Sequence, residues 1–352
     1  MNVAILGDLF INNEILQTEL MRAFAGAGVK FEYTFLSDSW PLAPRKKSEE
    51  ICGFVGDEED TRKAVHEAEI ILTHTAPITR RVLAAASNLK IVGAACSSPV
   101  NIDWKACTER GIPVLYAPDR DIVAVAEFTV GLMLAQSRNI SRSHKSMMAE
   151  KRWREDLYLN EIVGMELGSS VIGLIGFDAI GSKVAALLQA FGARVLVFDP
   201  SVPIERIQEA GCEAVDLDTL LKEADFISLH CRLTKETRGL LGEREIRLMK
   251  PYAYLINTAH GELIDHDALY RALAGKQILG AALDVFEAEP PPPNSLLYTL
   301  ENVTATSRLA GASIQAAENG ARVLCAGVYD YIVNKNPPRY CANPDYIKYL
   351  SG

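Results

Sequence analysis

Short apolar runs punctuate the chain, and polar stretches with helical spacing fill the gaps between them. The runs fall at 3–6, 70–73, 91–95, 113–116, 171–176, 195–198, 226–229, 254–257, 279–283 and 303–306. They are apolar almost throughout instead of alternating, the pattern of parallel strands buried on both faces. Apolar spacing predicts helices over 15–25, 122–137, 182–191, 217–224, 267–274 and 314–332. This alternation of strands and helices predicts an α/β fold built on a doubly wound parallel sheet of Rossmann type. The stretch 123–133 is apolar almost all round, and its helix is expected to run on as a more basic segment to about Arg154, past Trp153. A helix apolar on every side must be buried against something, either a second subunit or its own core.

Composition narrows the class. With 352 residues, at roughly 150 residues per domain, the chain holds about two domains. Hydrophobic residues make up 49% and charged residues 23%, a globular profile with a net charge of −9. That charge provides no basic field for nucleic acid or an anionic membrane surface. Seven cysteines without a CxxC pair read as thiols of a reducing compartment. The N-terminus opens like a buried strand and not like a leader, and no run approaches about 18 apolar residues. A cytoplasmic location without a membrane span is expected.

The strongest local signal runs from Val171 to Asp199. A strand leads into the turn Gly176-Phe-Asp178-Ala179-Ile180-Gly181, a helix follows, and a second strand ends in Asp199. The dinucleotide fingerprint is G-x-G-x-x-G with an acid about 20 residues on. Gly176 and Gly181 hold its first and third positions, and Asp199 stands 18 residues after Gly181. An acid at that strand tip accepts ribose hydroxyls and repels a 2′-phosphate, favouring NAD over NADP. The middle glycine is replaced by Asp178. Two like charges about 4 Å apart cost roughly 4 kcal/mol at an effective dielectric near 20. Asp178 beside a pyrophosphate therefore weakens binding unless it turns away or is neutralised.

From about residue 70 onward the chain resembles the D-2-hydroxyacid dehydrogenase family. The likeness rests on Leu89-Lys-Ile-Val-Gly, Pro99-Val-Asn-Ile-Asp103, Arg110-Gly-Ile-Pro-Val and Val125-Ala-Glu-Phe-Thr-Val-Gly-Leu-Met-Leu, then on the glycine turn. Ala224-Asp-Phe-Ile-Ser-Leu-His230, Met249-Lys-Pro-Tyr-Ala-Tyr-Leu-Ile-Asn257 and Gly280-Ala-Ala-Leu-Asp-Val-Phe-Glu-Ala-Glu-Pro290 extend it. The resemblance implies a dinucleotide-binding domain, 103–308, inserted into a flavodoxin-like substrate-binding domain, 1–102 and 309–352. It also implies NAD as cofactor, a small-molecule substrate, and a homodimer formed through the dinucleotide-binding domain.

The family's chemistry uses an arginine that clamps the substrate, a histidine that moves the hydroxyl proton, and a carboxylate that orients the histidine. This chain departs from the pattern. His260 stands in the arginine's segment, Asn257-Thr-Ala-His260-Gly261, and Arg308 in the histidine's, Thr306-Ser-Arg308. Glu289 and Asp284 are kept. Two readings stay open: drift after catalysis was lost, or a rebuilt site with His260 as acid/base, Glu289 as its carboxylate and Arg308 as anion clamp. Resemblance assigns Gly176, Asp178, Ala179, Ile180, Gly181, Asp199, His230 and Asp284 to the cofactor. It assigns Cys96, Ser97, Ser98 and Asp121 to the substrate, with hydroxyls where the family keeps glycines. His230 is expected either to border the adenine or to pack under the turn, and Arg232 to offset Asp178. No metal is expected, since His260, Glu262, Asp265 and His266 match no usual ligand spacing. The leading function is NAD(H)-dependent hydride transfer on a 2-hydroxyacid-like or polyhydroxy acid. The alternatives are a non-catalytic binding relative and a non-redox reaction on the same fold.

Overall fold

A computed structural model describes residues 1–349. The chain divides into two compact units, residues 1–121 with the chain from 312 onward, and 122–311.

The first unit holds β1 (Asn2–Gly7), α1 (Asn13–Ala23) and β2 (Glu32–Ser37), then a small antiparallel hairpin of β3 (Lys46–Lys47) and β4 (Cys52–Phe54). It continues with α2 (Glu58–Ala64), β5 (Ile70–Thr73), α3 (Arg80–Ala85), β6 (Ile91–Ala94), α4 (Trp104–Glu109) and β7 (Val114–Tyr116). The parallel sheet order is β2-β1-β5-β6-β7. That is the flavodoxin-like order, whose direction of winding reverses between the first and third strands, here β1 and β5. Residues 103–121 were expected in the dinucleotide-binding domain. They lie instead in this unit, because β7 completes its sheet by pairing with β6.

The second unit begins with α5 (Ile122–Ser137) and α6 (Ile140–Met148). The expected single helix to Arg154 is broken at Asn139, whose φ of 55° is left-handed. Its strands are β8 (Val171–Ile175), β9 (Arg194–Phe198), β10 (Glu213–Ala214), β11 (Phe226–Leu229), β12 (Tyr254–Asn257), β13 (Gly280–Leu283) and β14 (Val303–Ala305). The connecting helices are α7 (Ala179–Ala190), α8 (Ile204–Glu209), α9 (Leu217–Glu223), α10 (Glu243–Leu248) and α11 (His266–Ala274). All seven strands are parallel, in the order β10-β9-β8-β11-β12-β13-β14, which is the doubly wound nucleotide-binding order with its reversal between β8 and β11. Strands β11, β12 and β13 are buried at every position, which explains their unbroken apolar runs. The chain then returns to the first unit as α12 (Ile314–Ile332), which packs on α1. No described helix is long and apolar enough to cross a membrane.

Candidate active site

The second unit places its candidate residues at the carboxyl ends of its strands, where ligands of open α/β sheets bind. The glycine turn follows β8 at the reversal point. Gly176 has φ +102°, and a Cβ there would lie 2.5 Å from the Cys231 amide nitrogen. A Cβ on Gly181 would lie 2.3 Å from the Gly176 carbonyl oxygen. These two glycines are required by close backbone packing in the turn.

Asp178 is the N-cap of α7. Its Oδ1 accepts from the amides of Ile180 at 3.0 Å and Gly181 at 3.3 Å. An aspartate cap satisfies amides that a helix otherwise offers to water or to an anion. Here the carboxylate occupies part of the donor set that a pyrophosphate uses. Asp199 accepts from the Phe177 amide through Oδ2 at 2.7 Å, and through Oδ1 from the Ser201 amide and hydroxyl. Burial acts against its charge, but these hydrogen bonds outweigh it and hold Asp199 below the usual carboxylate range. A cavity of about 400 Å³ adjoins it, with Phe198, Val202, Ile204 and Val215 in its wall.

His230 packs under the turn. It is 5% exposed and its Nε2 meets the Ser228 hydroxyl at 2.9 Å. Burial pushes its pKa down to about 4, so it is a neutral core histidine. Asp284 is likewise occupied by its own chain. Its Oδ1 accepts from the Thr306 hydroxyl and the Leu309 amide, and its Oδ2 accepts from the Ala310 amide. Its carboxylate thus fastens the loop carrying Arg308, whose φ of 55° is left-handed.

His260, Glu289 and Arg308 follow the neighbouring strands β12, β13 and β14. Arg308 Nη1 donates to Glu289 Oε2 at 2.6 Å, and the Phe286 amide donates to Oε1. The carboxylate expected to orient the histidine therefore pairs with the arginine, whose guanidinium offers the stronger charge-assisted bond. His260 is half-buried. Burial and then the charge of Arg308 push its pKa down, and Glu262 and Glu289 oppose them. Buried Asn257 holds the loop by donating to the His260 carbonyl at 2.7 Å and accepting from the Ala259 amide. Only its place at the end of an apolar run hinted at this anchoring role.

The first unit carries the residues expected to hold substrate. Ser97 and Ser98 are exposed. The Cys96 thiol donates to the Ser98 carbonyl at 3.1 Å, and burial pushes its pKa up to about 11. Asp121 lies 3.8 Å from Arg120. Among the described residues, no three His, Cys, Asp or Glu side chains are grouped to hold a metal ion.

Comparison with known proteins agrees with this architecture. Residues 130–310 match the model of the D-isomer specific 2-hydroxyacid dehydrogenase NAD binding domain. The chain is 42% identical over 270 residues to D-3-phosphoglycerate dehydrogenase of Methanocaldococcus jannaschii, covering 76% of this chain and 50% of that protein. It is 36% identical over 278 residues to hydroxypyruvate reductase of Thermotoga maritima, covering 78% of this chain and 88% of that one. The apo-structure of D-lactate dehydrogenase from Escherichia coli superposes with a TM-score of 0.74 at 27% identity, covering 97% and 100% of the two chains. The chain spans about half the length of the phosphoglycerate dehydrogenases it matches. The matched domain, the winding order and the shared sequence together place this chain in the D-2-hydroxyacid dehydrogenase family.

Proposed function

We propose that this protein is an NAD(H)-dependent oxidoreductase acting on a 2-hydroxy acid or a related secondary alcohol. The observation that carries the reading is the meeting of His260, Glu289 and Arg308 on three adjacent strand ends of the NAD-binding domain. The exchange of histidine and arginine leaves both required groups present.

The second unit fits the cofactor at its ribose end, where Asp199 keeps an ionised carboxylate beside an apolar hollow. At the phosphate end the fit is partial, because Asp178 already holds two of the helix amides. NAD supplies a hydride acceptor in alcohol oxidation. His260, kept neutral by burial and Arg308, takes the hydroxyl proton in that direction and returns it in reduction. Arg308 offers its remaining guanidinium N–H groups to the substrate carboxylate. Glu289 holds that guanidinium in place from the opposite side. In the first unit, Cys96, Ser97, Ser98 and Asp121 are the substrate-binding candidates, on family likeness alone. We assign assembly as a homodimer through the second unit, on the strength of exposed Ile140, Met148 and Trp153, since α5 itself is buried in the unit's own core. The free thiols agree with a reducing, cytoplasmic setting.

The test is a titration with NADH followed by a turnover screen over 2-keto and 2-hydroxy acids. Micromolar binding and turnover of at least one acid are expected. No binding at millimolar NADH sinks the reading. Binding without turnover of any acid favours a non-catalytic dinucleotide sensor, for which the capped helix and the Arg308–Glu289 pair speak.

A further inference from the structure

A cavity of about 330 Å³ opens at the amino-terminal edge of the second unit's sheet, opposite the edge that carries His260, Glu289 and Arg308. Tyr254 opens β12 there, and Leu279 and Asn302 directly precede β13 and β14. All of its lining residues belong to the second unit. Ile162, Leu273, Ile278, Leu279 and Leu300 form the apolar part of the wall.

Two arginines line this hollow, and the chain treats them differently. Arg154 is paired with Asp156, donating from Nε at 2.7 Å and from Nη2 at 2.6 Å to the two carboxylate oxygens. Arg142 is half-buried and has no ion pair among the described residues. Its Nε and Nη2 both donate to one backbone carbonyl, that of Glu301, at 3.1 Å. Its Nη1 has no acceptor among the described residues. Burial pushes its pKa down, Glu301 opposes this, and the charge of Arg154 adds to the lowering. A guanidinium drawn out of water is ordinarily paired with an anion.

Tyr254 is the second unanswered group. It is 3% exposed, and its ring stacks on Phe226 with centroids 5.1 Å apart. Its hydroxyl makes no hydrogen bond among the described residues. Burial pushes its pKa up to about 12, and the charge of Arg142 opposes this. The hydroxyl therefore keeps its proton and lies within reach of the Arg142 field. The neighbouring amides are already spent. Gln136 donates to the Asn302 carbonyl and accepts from the Thr304 hydroxyl, and Asn139 donates to the Ile162 carbonyl. Lys276, Glu161 and Glu301 are exposed, so water answers their charges. The two unanswered groups inside are thus both donors, beside a leucine-rich wall.

We propose that this cavity binds an organic monocarboxylate with a short apolar chain, its carboxylate accepting from Arg142 Nη1 and the Tyr254 hydroxyl and its chain lying on the leucine wall. Inorganic phosphate brings more oxygens than this pair of donors can answer and leaves the leucines uncovered. An amine meets Arg142 with repulsion. The site shares no residue with the cofactor and substrate candidates, so the inference stands without the oxidoreductase reading.

Calorimetry on the full chain with hexanoate tests the site, because hexanoate has no 2-hydroxy or 2-keto group to be turned over. Hexanoate is expected to bind about tenfold or more tightly than propanoate, since each buried methylene is worth roughly fourfold. Hexylamine and inorganic phosphate are expected to bind at least about tenfold more weakly than hexanoate, for want of a charge-assisted hydrogen bond or of apolar burial. Arg142→Met keeps an unbranched apolar stem and removes the charge. It is expected to weaken hexanoate by about tenfold or more, the range of a lost charge-assisted hydrogen bond. Tyr254→Phe removes only an unpartnered hydroxyl, so its melting temperature is expected to stay at or above that of the wild type. Its hexanoate affinity is expected to fall by about threefold or more. No hexanoate binding at millimolar concentration, equal affinities for hexanoate and propanoate, phosphate binding as tight as hexanoate, or unchanged affinity in either folded variant each overturn the proposal. Should Arg142→Met fail to fold, Tyr254→Phe decides the matter alone.

Discussion

Two carboxyl edges, one from each parallel sheet, handle their polar residues in opposite ways. Along the carboxyl edge of the second unit the chain answers its own polar groups, His260 excepted. Asp178 caps α7, Asp284 accepts from three donors of one loop, His230 meets Ser228, and Glu289 binds Arg308. In the first unit Asp38 Oδ2 and Arg120 Nε are enclosed without hydrogen-bond partners, though Asp121 lies 3.8 Å from Arg120, and His74 Nε2 has no hydrogen bond among the described residues. A residue type at a strand tip is therefore weak evidence for ligand binding until its hydrogen bonds are counted. A carboxylate that fastens its own loop, as Asp284 does, serves the scaffold first, whereas an orphaned polar atom costs stability that a ligand or water can return.

The most severe break in this comparison comes from His260, which has no side-chain hydrogen bond among those identified and stands out on an otherwise self-paired edge. His260→Ala is expected to lower kcat by about 10²- to 10⁴-fold, the range of a lost general acid/base. Steady-state rates on any accepted acid measure it, and full retention makes the whole edge scaffold. Next in size is His230. Its pKa is near 6.5 when unfolded and about 4 when folded. Between these values the unfolded chain binds more protons, so stability is complete above pH 6.5 and falls as pH drops toward 4. The loss amounts to about 3 kcal/mol. Urea unfolding at pH 7 and 4.5 shows it, and His230→Gln should flatten this part of the profile.

Asp38 tests the other edge. Burial and then the charge of Asp8 push its pKa up to about 6. The raised value means that its contribution is present below the unfolded pKa and lost as pH rises through 6. Asp38→Asn removes this loss and is expected to stabilise the protein at pH 7.5 by roughly 1–2 kcal/mol. No gain in melting temperature would mean that the enclosed oxygen is answered by water. The smallest effect belongs to Asp178→Gly. Freed amides and a lost charge should tighten NADH binding by about tenfold, while the helix loses only a few tenths of a kcal/mol because glycine is an acceptable cap. Unchanged affinity would show that the carboxylate does not compete with the pyrophosphate.

The parts of the fold legible in the sequence are those buried on both faces. Strands β5, β11 and β12 coincide with apolar runs, because no solvent face interrupts them. Strand β2 escaped notice because it is an edge strand with four of its six residues exposed. The break at Asn139 carried no glycine or proline signal, since asparagine enters the left-handed region through its own side chain. At the site, the positions of His260, Glu289 and Arg308 came from family likeness, whereas the partner of Glu289 required coordinates. Asp178 was visible as a missing glycine, but an aspartate opening a helix is also a strong capping signal. The buried, hydrogen-bonded pair of Asp8 and His74 was out of reach. Its members lie 66 residues apart and meet only because β1 and β5 are neighbours.

The return of α12 to the first unit also bears on biosynthesis. Leu324 fills the notch left by Gly93 on β6, where a Cβ would lie 2.6 Å from the leucine Cδ1. Ala317, Ala321, Cys325 and Val328 complete the same apolar cluster. On a ribosome adding about 5–20 residues per second, the whole second unit is translated before this helix, an interval of roughly 10–40 seconds. During that interval one face of β6 and α1 has no cover. The nascent chain is then most exposed to chaperones and to aggregation, and the sequence of α12 governs how that exposure ends.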